Sequence, residues 1–262
     1  MEYELYTKKA LMWGEKIKYI LNVPISSPPP EGWPMLLFLH GYKSGTIEEN
    51  KVWLRNNWLD NIRNIQVLRR CIVITPICPS NRWWITPSIV DLMGEVWNNE
   101  KIRTDRTRTY IMGYSMGAFC TWSMISNYPS MFAAAIPIAG GGKPNGRTAI
   151  VMCNACSCTF PLSLSLFATN ACNGTTTGDF KFENLKQVST FVWAFHSATD
   201  SVIPHTETIR NVEALPNNVS KITIFKDLTH EDTFHTVIFN VNIYRWIFSK
   251  KKKINNQNII RT

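Results

Sequence analysis

The residues of this chain that could do chemistry together are a serine, an aspartate and a histidine, met in that order at Ser115, Asp200 and His230. Ser115 stands in Gly113-Tyr114-Ser115-Met116-Gly117, after the apolar run Thr109-Tyr110-Ile111-Met112 and ahead of a helix-like segment. A serine between strand and helix predicts a sharp, strained turn that lifts its hydroxyl above the sheet edge, with the glycines letting neighbouring chain approach. A serine hydroxyl is a weak nucleophile until a base takes its proton, and the base needs a carboxylate to orient it. Where such an elbow occurs, the acid and then the histidine follow it in the chain, each on a loop after a strand. Asp200 in WAFHSATDSVIP and His230 in FKDLTHEDTF meet that requirement.

Attack on a carbonyl also needs donors for the oxyanion. The Met116 amide, at a helix N-terminus, supplies one. The stretch Leu37-Phe38-Leu39-His40-Gly41-Tyr42 supplies the other through the Tyr42 amide, with Gly41 permitting the turn. His40 is expected to pack and bond under this loop. His196 and His205 flank the acid loop and are within reach of the site, but chain order disfavours either as the base. His235 is the nearer competitor of His230, and a helix starting near Glu231 would hold it away from the strand ends. Asp227 lies too close to His230 in sequence to present its carboxylate well. The adjacent tryptophans Trp83 and Trp84, on a loop leaving a strand end, are candidates for binding substrate in an acyl or aromatic pocket, or else cover the core edge.

These residues need a scaffold, and the chain supplies a rhythm. Lys16–Val23 reads as an opening strand, followed by a Pro/Ser-rich loop to about residue 33. Short apolar runs recur at Met35–Leu39, Cys71–Thr75, Thr109–Met112, Ala133–Ile138, Phe191–Phe195 and Lys221–Phe225. Several are near-continuous, as strands buried on both faces should be. Helix-like segments lie between most of them: Val52–Ile65, Ile89–Trp97 with Thr86 capping before Pro87, Met116–Tyr128 and Thr206–Leu215. Alternation of this kind predicts an α/β fold, a doubly wound, mainly parallel sheet in one domain spanning 1–262. Only residues 140–187 break the rhythm, and that stretch is expected to be an inserted surface excursion.

Composition fits. Of 262 residues, 45% are hydrophobic and 18% charged, an ordinary globular balance with a core to match. The net charge of +9 is scattered apart from Lys250–Lys253, so neither a nucleic acid nor a membrane surface is expected as partner; the run opens a basic, disordered tail over 250–262. No run of roughly 18 apolar residues is present to span a bilayer, and the N-terminus lacks the pattern of a secretory signal, which predicts a cytoplasmic protein. Cys153, Cys156, Cys158 and Cys172 crowd together with no histidine nearby, so free thiols are expected there rather than a zinc site. The sequons at Asn173 and Asn218 carry no meaning without secretion.

Taken as a set, LLFLHGYKSG, TPICPSNRWW, TDRTRTYIMGYSMGAFCTWSMISNYPSMFAAAIPIAGGG and VWAFHSATDSVIP resemble the dienelactone-hydrolase and carboxylesterase-like branch of the α/β hydrolases. The likeness runs from about Pro34 to Phe248, interrupted near 142–187. Arg108–Ala118 matches that branch's Arg-Ile-Tyr-x-x-Gly-x-Ser-Met-Gly-Gly except at Thr109 and Ala118, and Thr229 stands where the branch usually has glycine before its histidine. The resemblance implies the α/β-hydrolase fold, a triad of Ser115, Asp200 and His230, and cleavage of small-molecule carboxylic esters through an acyl-enzyme with no metal or organic cofactor. A serine peptidase using the same triad is the nearest rival, and a non-catalytic binding protein on the fold the more distant one.

Overall fold

The structure is a computed structural model describing residues 1–42, 46–60, 64–79, 82–142 and 180–252. Its frame is an eight-stranded sheet in the order β1-β2-β4-β3-β5-β6-β7-β8. The strands are β1 (Glu2–Met12), β2 (Glu15–Asn22), β3 (Trp33–Leu39), β4 (Ile72–Pro76), β5 (Thr104–Tyr114), β6 (Ala134–Ile138), β7 (Phe191–Ser197) and β8 (Ser220–Phe225). From β4 through β8 every neighbouring pair is parallel, while β1 pairs antiparallel with β2 and β2 with β4. The doubly wound, mainly parallel sheet expected from the rhythm is the one observed.

Among the described residues six α-helices cover its faces: α1 (Ile47–Leu54), α2 (Thr86–Trp97), α3 (Met116–Asn127), α4 (Thr206–Glu213), α5 (His230–Ile238) and α6 (Val241–Phe248). Alternate strand residues feed two cores. Leu37, Leu39, Ile74 and Ile111 join Leu92 of α2 and Phe119 and Trp122 of α3 on one face. Leu36, Phe38, Tyr110 and Met112 join Trp58, Phe234 of α5 and Tyr244 of α6 on the other. Because β3 and β4 are buried on both faces along their whole length, their sequences read as unbroken apolar runs.

Several elements differ from expectation. β1 was not foreseen. Its buried positions follow no strict alternation, and its register with β2 shifts between Tyr6 and Leu11. There the amides of Lys8, Lys9 and Ala10 donate to the carboxylate of Glu95 on α2 at 2.6–2.7 Å. A side chain distant in sequence thus supplies what a strand partner would, and no local pattern announces it. The hairpin closes at Trp13 and Gly14, with φ of 57° and 82°, the paired positive φ that a two-residue turn needs.

The helix expected from Val52 begins at Ile47, where Thr46 and Glu49 form a capping box, and it passes into a π-helical turn over Arg55–Leu59. Thr86 is the first helical residue of α2, not its cap; Ile85 holds that place. The ends of the 140–187 stretch belong to the body. Gly140 to Gly142 are buried, and the 3₁₀ turn Phe182–Gln187 buries Leu185 and bonds Ser126 of α3 through Asn184. Cys153, Cys156, Cys158, Cys172 and the Asn173 sequon lie outside the described residues. The tail is also docked at its start: the Tyr110 hydroxyl donates to the Lys250 carbonyl at 2.9 Å, and Lys252 Nζ to the Met131 carbonyl at 2.9 Å. Residues 253–262 lie outside the described set. Among the described residues no helix is long and apolar enough to cross a membrane.

Candidate active site

The C-terminal ends of β3, β5, β6, β7 and β8 lie along one edge of the sheet, because these strands are parallel. Ligands bind at that edge in such sheets, near the point where strand order reverses. Here β3 runs out to β4 on one side and β5 lies on the other. Four of the expected elements emerge at this edge: the His40–Tyr42 loop after β3, Ser115 after β5, Asp200 after β7 and His230 after β8.

Ser115 occupies a backbone conformation that side-chain-bearing residues rarely adopt, φ 53° and ψ −116°. Such strain costs on the order of 1–3 kcal/mol and persists only where the surroundings impose it. They do so here. The Ser115 amide donates to the Ile138 carbonyl of β6 at 2.9 Å, and its carbonyl accepts from the Ala118 and Phe119 amides. A Cβ on Gly117 would run into the Leu39 carbonyl of β3, and one on Gly113 into the Gly117 carbonyl. The two glycines of the motif are therefore required by close backbone approach. Met116 opens α3, so its amide has no carbonyl one turn earlier to donate to.

The loop after β3 touches the elbow. A Cβ on Gly41 would stand 3.2 Å from the Ser115 Cβ and 3.1 Å from the Tyr114 ring, so what Gly41 supplies is space. His40 secures the loop from below, as expected. Its Nε2 accepts the Cys78 amide at 3.0 Å, which leaves Nδ1 to donate to the Gly41 carbonyl at 2.6 Å. Trp84 is wholly buried and spends its Nε1–H on the His40 carbonyl at 3.0 Å. Trp83 is 6% exposed, meets Phe119 edge-on, and accepts the Trp13 indole at its carbonyl. Trp84 thus braces the loop after β3, while Trp83 packs on α3 and is tied to the β1–β2 hairpin through Trp13.

Asp200 and His230 meet. His230 Nδ1 donates to Asp200 Oδ2 at 2.7 Å, with the Asp200 side chain fully buried. The other oxygen, Oδ1, accepts the Val202 and Ile203 amides at 2.8 and 2.9 Å. Burial pushes the Asp200 carboxyl upward. Hydrogen bonds from His196 and His230, the His230 charge and the Ile203 amide outweigh burial and hold the carboxyl well below its usual range. The acid is therefore ionised, and it fixes the imidazole with Nε2 as the nitrogen left to accept a proton. His230 also packs against the elbow: its ring lies 5.1 Å from that of Tyr114, which stacks in turn on Phe234 at 4.6 Å.

His230 is the first residue of α5 rather than a loop residue. Thr229, where the resemblance leads one to expect glycine, is the cap, and its side chain accepts the Asp232 amide. His235 lies inside α5 against Phe234 and Phe239, and Asp227 is exposed. His205 caps no bond of α4 through its side chain. His196, expected within reach of the site, is fully buried on β7, and what was missed in the sequence is its contact with the acid, Nε2 to Asp200 Oδ2 at 3.1 Å. Its position four residues before the acid was the available signal. A cavity of about 760 Å³, lined by Asn22, Leu68, Cys71 and Val73 among others, lies under β2 and β4 and touches none of these residues.

Sheet order, elbow and strand-end loops define the α/β-hydrolase fold. No model of a known protein family matches the chain. Among curated proteins, poly(3-hydroxyalkanoate) depolymerase C of Paucimonas lemoignei is 39% identical over 74 residues. That match takes in 28% of this chain and 17% of the depolymerase, so the chain spans about a sixth of the relative's length. Among solved structures, a thermostable esterase superposes with a TM-score of 0.65 at 21% identity, covering 96% of this chain and 63% of that one. A substrate-bound fluorophosphonate-binding serine hydrolase of Staphylococcus aureus gives 0.65 at 13% identity, covering 95% and 98%.

Proposed function

We propose that the protein is a serine hydrolase that cleaves carboxylic esters through an acyl-enzyme. The observation that carries this reading is the 2.7 Å bond from His230 to the buried Asp200 carboxylate, formed against the ring of Tyr114, the residue just before the strained Ser115. In the first half-reaction His230 Nε2 takes the Ser115 hydroxyl proton while Oγ attacks the ester carbonyl. The amides of Tyr42 and Met116 stabilise the oxyanion, and the proton passes to the departing alkoxide. Water then attacks the acyl-serine by the same proton route and releases the acid. Asp200 remains ionised and stabilises the imidazolium that forms in each step.

An ester is favoured as substrate by its better leaving group and by the likeness to a thermostable esterase and to a poly(3-hydroxyalkanoate) depolymerase. The decisive experiment treats the purified protein with a fluorophosphonate probe and maps the labelled peptide. The label is expected on the segment containing Ser115, and Ser115→Ala should remain folded, unlabelled and slower in kcat by about three to six orders of magnitude. A folded, active wild type that labels elsewhere would end this assignment. Short-chain aryl esters should turn over far faster than matched anilides; equal kcat/KM values would make the protein a peptidase instead.

A further inference from the structure

The triad assigns no task to His196, yet this histidine is more deeply buried than His230 and contacts the same carboxylate oxygen. We propose that His196 is a positioning residue that donates its Nε2–H to Asp200 and holds the acid at the angle from which it orients His230. The inference rests on the triad reading and adds a fourth member to it.

Hydrogen-bond inventory carries the argument. His196 Nε2 lies 3.1 Å from Asp200 Oδ2 and 2.9 Å from the Ile203 carbonyl. A carbonyl and an ionised carboxylate only accept, so this nitrogen must carry a proton. An ionised carboxylate has about four lone-pair sites. On Asp200 the Val202 and Ile203 amides occupy Oδ1 and His230 occupies Oδ2, while the single Nε2–H of His196 is shared between the Ile203 carbonyl at 2.9 Å and Oδ2 at 3.1 Å. Removal of His196 leaves Oδ2 bonded to His230 but takes away one restraint on the terminal torsion of the carboxylate.

The far side of the ring is anchored as well. His196 Nδ1 lies 2.7 Å from Thr208 Oγ1 on α4, and that hydroxyl lies 2.7 Å from the Gly140 carbonyl. Gly140 is packed on the elbow: a Cβ there would stand 2.8 Å from the Ser115 carbonyl and 2.6 Å from the Ala118 Cβ. A continuous path of polar contacts therefore runs from the acid through His196 and Thr208 to the strand end behind the nucleophile. It ties the placement of Asp200 to that of Ser115.

The role predicts an electrostatic consequence that a purely structural one does not. While His196 donates to Oδ2, part of the Asp200 charge is spent on it. Without that donor the charge falls more fully on His230 and favours the imidazolium. The other titratable groups beside His230 are Tyr114 at the end of β5 and Glu231 and Asp232 on α5. All of them are unchanged by substitution at position 196.

Two variants separate the possibilities. His196→Gln keeps an N–H donor near the place of Nε2, whereas His196→Asn keeps one only toward Thr208. With an ester substrate, His196→Asn is expected to lower kcat by about ten- to a hundredfold, the worth of one hydrogen bond to a charged group, with KM little altered. The acid limb of its kcat/KM profile should move to higher pH. His196→Gln should restore most of kcat and return the limb toward wild type. Equal losses in both variants with an unmoved limb, or wild-type behaviour in His196→Asn, would overturn the proposal. Fluorophosphonate labelling of the wild type at Ser115 is run alongside, so that failure of the triad is seen as such. If His196→Asn does not fold, nitrogen-detected NMR of the wild-type imidazoles decides: a proton on His196 Nε2 supports the role, and a bare Nε2 refutes it.

Discussion

The two halves of the candidate site are built by opposite means. Around β3, β5 and β6 the backbone does the work: glycines let carbonyls and strands crowd against the elbow, and Ser115 is strained because main chain on every side leaves it no alternative. Around β7 and β8 side chains do it: a carboxylate that accepts two amides and His230 with His196 3.1 Å away, a histidine at a helix start, a threonine cap. The first half fails sterically, when an atom is added. The second fails electrostatically, when a donor or a proton changes. Near the site, positive φ at residues with side chains falls in the backbone half, at Ser115 (53°) and at Ala139 (51°) just after β6, while the groups that move protons sit on the first turn of a helix and the loop after a strand.

The sharpest way to break this comparison is to exchange the two histidines of α5. His230→Ala should abolish turnover almost as fully as loss of Ser115, by about three orders of magnitude or more, since triad members act as a unit. His235→Ala should retain most activity, because its ring packs between Phe234 and Phe239. Steady-state kinetics on one ester suffices. A dead His235→Ala beside an active His230→Ala would show that α5 presents the wrong face to Ser115.

On the backbone side, Gly117→Ala should be the most damaging small substitution. Its methyl would occupy the space of the Leu39 and His40 carbonyls. Neither can retreat without breaking β3 from the elbow. Overpacking of this kind costs roughly 1–3 kcal/mol or more, readable as a fall in the urea midpoint with the slope unchanged. An unaltered midpoint would mean that the elbow has slack, and the contrast between the two halves would lose its basis.

How much of this was legible in the sequence follows the same division. The elbow could be read locally, because backbone crowding selects glycine two residues on either side of the serine. Acid and base could be read from chain order and strand ends. The nearness of His196 to the acid was legible from its place four residues earlier, but its bonds were not, since its partners on Asp200, Ile203 and Thr208 converge only once the loop after β7 has folded back. Nor was β1, whose unpaired amides are satisfied by Glu95 from another element. The start of α1 was legible and went unread: Thr46 and Glu49 have the spacing of a capping box. The core strands were the clearest, as both faces are buried and the apolar runs are unbroken.

A smaller effect sharpens the electrostatic side. The Asp200 carboxyl is held below its ordinary range in the folded state. In the unfolded chain it takes up its proton near pH 4. Between those two values the unfolded state binds more protons, so stability rises with pH. The contribution is fully present above about pH 4 and is lost as pH falls toward the folded value. Denaturant unfolding followed from pH 6 downward should show this decline in wild type and a shallower one in Asp200→Asn. Parallel curves would mean that the carboxylate gains nothing from the groups that surround it.

The smallest expected effect tests the one place where the chain departs from its resemblance beside a catalytic residue. Thr229 caps α5: its hydroxyl oxygen accepts the Asp232 amide at 3.0 Å, and its hydroxyl proton goes to Asp232 Oδ2 at 2.6 Å. The Thr229 carbonyl also accepts the Thr233 hydroxyl at 2.8 Å, so the turn that carries His230 is closed on two sides. Replacing a threonine cap by alanine costs about 1 kcal/mol, and by glycine only a few tenths, because glycine leaves the end amides open to water. Thr229→Ala should therefore lower the melting temperature by a few degrees, and Thr229→Gly by less. Both should leave kcat within about threefold of wild type, since His230 is held mainly by Asp200 and by the Tyr114 ring, and a charge-assisted bond outweighs a neutral cap. A large loss of kcat in Thr229→Ala with little change in melting temperature would invert that ranking. The cap, and not the carboxylate, would then set the angle of the base, and the side-chain half of the site would depend on helix geometry as much as the elbow does on its glycines.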